Sequence, residues 1–169
     1  MNANAIVYTS NTGYTAQYAK LLGKRTGLPV YSLVEAGEKL PAGNCVIYLG
    51  WLMAGKVQGY AKAARRYRVA AVCGVGMGAT GSQLADVRKA NSLWDDLPLF
   101  TLQGGFDMGK LKGIYKLMML VMAKTVGKSL ANKADRTAEE EQMLQLLTQG
   151  GSCVSEENLQ PVLDWFFDR

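Results

Sequence analysis

The sequence predicts a doubly wound α/β domain, and three observations carry that prediction. Five short apolar runs recur along the chain, at residues 5–8, 30–33, 45–49, 69–73 and 99–102. Most are continuous rather than alternating, as parallel strands covered on both faces require. Helical or polar stretches separate them, so strand follows helix follows strand with right-handed crossovers.

Taken in order, residues 5–8 read as the first strand and 15–25 as the first helix. Residues 30–33 form the second strand, and 35–40 leave room for a turn or two of helix. The third strand, 45–49, leads to a helix over 57–66. The fourth, 69–73, leads to a helix over 82–93, and the fifth strand is 99–102. Three further helical stretches follow. The first covers 110–126. The second, 137–147, opens with Thr137-x-x-Glu140, a capping box, and closes on Gly150-Gly151. The third begins near Ser155, or with Pro161 in its first turn, and places Leu159, Val162, Leu163, Phe166 and Phe167 on one face. No repeat, linker or low-complexity tract divides the 169 residues, so the chain reads as a single domain, 1–169.

Composition narrows the chemistry. An apolar share of 49% with 20% charged residues is that of a globular chain. No apolar run approaches the ~18 residues of a spanning helix. Met1-Asn2-Ala3-Asn4 lacks the basic start of a secretory leader. Cys45, Cys73 and Cys153 form no C-x-x-C pair, which argues against a thiol-redox motif, a zinc ribbon or a disulfide framework and for a reducing cytosol. Cys45 and Cys73 lie in strand candidates and are expected in the core. There is no histidine, which excludes Ser-His-Asp and Cys-His catalysis and removes the commonest transition-metal ligand. An enzyme of this composition would borrow its chemistry from a cofactor. The net charge of +5 points to an anionic partner or to no more than a basic surface.

The turn between the first strand and the first helix, Thr9-Ser10-Asn11-Thr12-Gly13-Tyr14-Thr15, is rich in hydroxyls and carries no charge. It falls at the carboxyl end of a parallel sheet, where such folds bind ligands. The helix start offers free N–H groups and a positive dipole end, which suit a phosphate. Ser10, Thr12 and Thr15 add hydroxyls, Asn11 an amide, and Gly13 lets the backbone approach. No G-x-x-x-x-G-K-[ST] is present, so this is not a triphosphate loop. An ordinary Ser/Thr/Asn capping turn is the competing reading.

Ser10-Asn11-Thr12-Gly13-Tyr14-Thr15 resembles the FMN phosphate loop of the flavodoxins, T/S-x-T-G-x-T after a first strand. The resemblance runs from Ala5 to about Leu102 and implies a five-stranded parallel sheet of order 2-1-3-4-5, with FMN at the switch between the first and third strands. Two more loops then flank the flavin. One is Gly50-Trp51-Leu52-Met53-Ala54-Gly55-Lys56; the other is Gly74-Val75-Gly76-Met77-Gly78-Ala79. Trp51 could stack on one ring face and Met77 pack the other, with Gly55 or Gly76 admitting a backbone group to the reactive edge. A rim or core tryptophan is the alternative for Trp51. The fourth-strand loop lacks the aromatic that flavodoxins often place there.

Residues 76–81 also match G-x-G-x-x-G, but the following strand ends in Gln103-Gly104-Gly105 rather than in the acid a dinucleotide ribose needs. The glycines more simply keep side chains off a flat ring. The segment 110–133 carries Lys110, Lys112, Lys116, Lys124, Lys128 and Lys133 and no acid. Ile114, Leu117, Met118, Val121, Met122 and Val126 share one helical face. That pattern fits a core-covering helix with a lysine-lined solvent face, or a basic amphipathic surface for a partner or a membrane. Nucleic acid fits poorly, because no aromatics interleave with the lysines. Gln103-Gly104-Gly105 and Tyr115-Lys116-Leu117-Met118-Met119 are similar to menaquinone-dependent protoporphyrinogen oxidases and their flavodoxin-domain relatives. That likeness implies membership of the wider group, not porphyrinogen chemistry itself.

Three function classes follow. The first is a cytoplasmic FMN oxidoreductase that passes electrons to a redox partner protein or a quinone, with peripheral contact at the inner face of a membrane. The second is a non-enzymatic FMN carrier docking an acidic protein. The third is a module that has lost FMN. No acid–base residue stands out: Asp86, Asp95, Asp96 and Asp107 read as surface charges or caps. Lys56 and Lys110, if near the ring, would favour its anionic reduced form and raise its potential.

Overall fold

β1 (Ala5–Thr9) is the spine of the sheet, with Ile6 and Val7 wholly buried. In this computed structural model, which describes residues 3–107, 109, 111 and 113–168 and leaves out the side chains at 114, 115, 118, 119, 122 and 139, β1 pairs in parallel on both sides. α1 (Tyr14–Thr26) returns the chain to β2 (Val30–Ser32). Gly27, with φ 74°, stops α1 by donating its N–H to the Gly23 carbonyl, and Lys24 and Arg25 complement the dipole there. α2 (Leu33–Lys39) is short but real, because Ser32 and Glu35 form a reciprocal capping box. Those bonds hold the Glu35 carboxyl below its ordinary range. β3 (Cys45–Met53) then turns into β4 (Lys56–Val57), α3 (Tyr60–Arg66) leads to β5 (Arg68–Gly76), and α4 (Leu84–Ala90) leads to β6 (Leu99–Gln103).

The principal strands run in the order β2-β1-β3-β5-β6, all parallel. Counted as principal strands alone this is 2-1-3-4-5, the flavodoxin-like order, and the fold is α/β with helices alternating with strands. Alternate side chains split the core into two layers. Ile6, Ile47, Leu49 and Cys73 face Tyr18 and Leu22 of α1 and the last helix. Val7, Tyr48 and Val72 face Ala36, Ala63 and Val87 of α2, α3 and α4. Cys45 and Cys73 are buried, as expected, and burial pushes the Cys73 thiol up to about 12.

Two strands overrun their expected ends. β3 continues through Gly50–Met53 and folds back as a hairpin, with Leu52 opposite Val57. Ala54 and Gly55, both at positive φ, form its turn. β5 likewise continues through Gly76. The helix expected over 57–66 therefore begins only at Tyr60, behind Gly59 at φ 83°. The helix expected over 82–93 shrinks to Leu84–Ala90, between Gln83 and Ser92, which also have positive φ.

Beyond β6 lies a second layer: β7 (Gly105–Phe106), α5 (Gly113–Ala131), α6 (Ala138–Gln149) and β8 (Gly151–Ser152). β7 and β8 form a small antiparallel ladder that was not expected. α5 runs five residues past its expected end at Val126, while Lys110 and Lys112 lie outside the described residues. The Thr137–Glu140 capping box is present and α6 ends at Gly150. Phe106, Leu111, Leu146 and Leu147 bind this layer together. A 3₁₀ turn (Glu157–Leu159) precedes α7 (Gln160–Phe167), with Pro161 in its first turn. Leu159, Val162 and Leu163 are buried, but Phe167 is 60% exposed and leaves the expected face.

Candidate functional site

All the parallel strands deliver their carboxyl ends to one edge, and the order reverses between β1 and β3. At that edge lies a cleft of ≈ 560 Å³, inside the range of about 300–1,000 Å³ typical of small-molecule sites.

The first wall is the turn after β1. Asn11, Thr12, Tyr14 and Thr15 line the cleft. Gly13, at φ 96°, caps α1 without any side-chain hydrogen bond, and the first turn of the helix holds no acid. The dipole and the amides at this end are thus left without a built-in anion. Thr15 lines the cleft although it is only 1% exposed, so its side chain is held in place by packing. Three of the expected residues shape the turn instead of lining it. Ser10 Oγ accepts the Gly13 N–H at 3.2 Å. Thr9 Oγ1 bonds to the Tyr48 hydroxyl at 2.8 Å, which also bonds to the Gln58 carbonyl at 2.7 Å. Burial pushes that phenol up to about 12. Gly13 supplies the backbone conformation that lets the turn form.

The second wall is the β3–β4 hairpin: Trp51, Leu52, Met53, Ala54 and Gly55 line it. The third is the end of β5, with Val75, Gly76, Met77 and Gly78. Gly74, the remaining expected residue, is buried behind it. The glycines here have a more local use than sparing a flat ring. A Cβ on Gly74 would lie 2.9 Å from Leu52 Cδ2, and one on Gly76 3.1 Å from Leu52 Cδ1. Their bareness seats Leu52, and with it the hairpin, on the sheet. The segment 76–81 also does not open a helix toward the cleft. The Gly81 N–H bonds to the Thr101 carbonyl at 3.0 Å and the Thr101 hydroxyl to the Ser82 carbonyl at 2.6 Å, folding the turn onto β6.

The fourth wall was not foreseen. Phe106, Asp107 and Leu111 come from the second layer, together with Val126 of α5 and Met143 and Leu147 of α6; Gly105 and Gln83 complete the lining. Only Asp107 is charged among the described lining residues, and its Oδ1 accepts the Gly109 N–H at 2.9 Å. Lys56 is exposed and is not among the residues that line the cleft. Lys110 lies outside the described residues.

A polar network braces this wall. The Gln103 amide, 8% exposed, donates to the Met77 carbonyl at 3.3 Å and to Gln142 Oε1 at 3.2 Å, tying the β5 loop to α6. Asn158 donates to the Cys153 carbonyl at 2.8 Å and to the Tyr18 hydroxyl at 3.1 Å, and accepts from Thr80 at 2.8 Å. Tyr18 in turn donates to the Gln103 carbonyl. Burial raises the Tyr18 phenol and the Cys153 thiol, so both stay neutral near pH 7. Among the described residues no cluster of acids and cysteines could hold a metal ion.

No protein-family model, curated protein or solved structure matches the chain.

Proposed function

We propose that the chain is an FMN-binding flavodoxin-like protein that transfers electrons through the bound flavin. One observation carries the reading. The uncharged turn over Asn11–Thr15, with a helix start that has no side-chain cap behind it, opens into the same cleft as Trp51 and the end of β5, at the point where the strand order reverses. In this reading Thr12, Thr15 and the amides of α1 hold the phosphate dianion through neutral donors. Trp51 lies against the ring, and the backbone of Val75–Gly78 borders its polar edge. Phe106, Leu111, Met143 and Leu147 of the fourth wall would shield part of the ring from water. FMN, when bound, supplies one- and two-electron transfer.

Among the described lining residues only Asp107 and Tyr14 carry an ionisable side chain, and the Tyr14 hydroxyl is engaged by the Gly151 carbonyl at 3.0 Å. That suits electron exchange with a redox partner protein; with a quinone as acceptor, the two protons of the quinol would have to come from the reduced flavin and water rather than from a side chain of the cleft. It also keeps the simpler carrier reading alongside the enzymatic one. The visible absorption spectrum of the purified protein, with mass analysis of whatever denaturation releases, tests the proposal. A flavin spectrum and the mass of FMN are expected; a colourless protein that takes up no FMN overturns it. Multiple-turnover quinone reduction would then separate enzyme from carrier.

A further inference from the structure

The outer face of α5 is neither core nor cleft. Leu117 is 62% exposed, Val121 57% and Leu120 40%. The sequence leaves this face open between core cover and a basic amphipathic surface; in the structure Leu117 and Val121 face outward, and Ala123 and Gly127 occupy the inward side. Leu117, Val121, Lys124 and Lys128 follow one another at helical spacing, with Lys116, Leu120 and Lys124 on the adjacent stripe. Lys116, Lys124 and Lys128 are exposed and make no ion pair with a described residue, whereas Lys133 is engaged by Glu140 at 2.6 Å. No acid occurs between Asp107 and Asp135. No helix among the described residues is long and apolar enough to cross a membrane.

We propose that this face of α5 docks the protein in the plane of an anionic lipid surface, with Leu117, Leu120 and Val121 entering the headgroup boundary and Lys116, Lys124 and Lys128 reaching lipid phosphates. The charge pattern selects the partner: aliphatic side chains bracketed by cations match an anionic apolar–polar boundary. A helix ridge needs no complementary groove in a bilayer, and lysine stems bury their methylenes while their ammonium groups stay wet. Val126 of the same helix lines the cleft, so docking would hold the cleft close to the lipid.

The test is co-sedimentation of the full chain with vesicles of phosphatidylcholine alone and of phosphatidylcholine mixed with phosphatidylglycerol. Binding to the mixed vesicles only, weakened by added salt, is expected. Each of Lys116→Gln, Lys124→Gln and Lys128→Gln should weaken it about fivefold, and Leu117→Ser with Val121→Ser about tenfold or more. These positions face solvent, so unchanged thermal melting of the variants shows that the fold is intact. Absence of sedimentation, equal binding to neutral vesicles, or indifference to the substitutions overturns the proposal. So does a dimer in size-exclusion chromatography that the serine variants convert to monomer, which would give the face to a second copy. Binding to polyglutamate but not to vesicles would give it to an acidic partner. None of these readouts depends on flavin.

Discussion

Thr15 and Gly50 show how single residues set this cleft. Thr15 lines the cleft and is almost wholly buried, and in the proposed reading its hydroxyl binds the phosphate. Thr15→Val keeps the shape and deletes that group. Hydrogen bonds to charged groups contribute about 1.5–3 kcal/mol, so FMN should bind at least about tenfold more weakly. Riboflavin, which has no phosphate, should be unaffected, and a fluorescence titration with both ligands measures the difference. Gly50 acts from behind. A Cβ there would fall 2.6 Å from the Gln58 carbonyl and from Val57 Cγ1. Overpacking of that kind costs about 1–3 kcal/mol, so Gly50→Ala should lower the thermal midpoint by roughly 2–12 °C. Tyr48 and Cys73 add a pH signature. Unfolded, they ionise near 10 and about 8.5; folded, both keep their protons until about 12. Their contribution is whole below those unfolded values and is lost as pH climbs toward 12. Thermal melts should therefore show steady destabilisation from about pH 9 upward.

Elements explain which parts of the fold the sequence disclosed. The central strands were legible because buried parallel strands read as unbroken apolar runs, and β1 and β6 end within a residue of where their runs stop. β3 and β5 were read short for one reason: Gly50, Gly74 and Gly76 look like loop glycines. Here they sit inside strands because the hairpin side chains of Leu52 and Val57 need the space. The capping box of α6 was legible from Thr137 and Glu140 alone. Thr137→Ala should cost about 1 kcal/mol. Because α6 supplies Met143 and Leu147 to the cleft, amide exchange along that helix should accelerate while the β1 and β3 amides stay protected. The sequence left the role of the α5 face open between core cover and exposed amphipathic surface, since apolar periodicity names a stripe without saying which side has a partner.

At the scale of the whole molecule, the cleft joins two regions that sequence reading treats differently. Three walls come from strand ends, whose position follows from topology once the parallel order is known. The fourth comes from residues far along the chain, such as Val126, Met143 and Leu147, in segments whose motifs mark helix ends and surface charge rather than a ligand site. They reach the cleft because Gly104 and Gly105 let the chain pass close to Val75 and Tyr14 and pair β7 with β8. Nothing local in the sequence signals that contact. The central claim is narrower than this architecture: an uncharged turn at the start of α1 grips the phosphate of a flavin mononucleotide. Calorimetric titration of flavin-free protein with FMN and, separately, with riboflavin tests it most directly. Saturable one-to-one binding of FMN at least about a hundredfold tighter than riboflavin is expected, the contribution of about two charge-assisted hydrogen bonds. Equal affinity for the two ligands, or no binding of FMN, would contradict it.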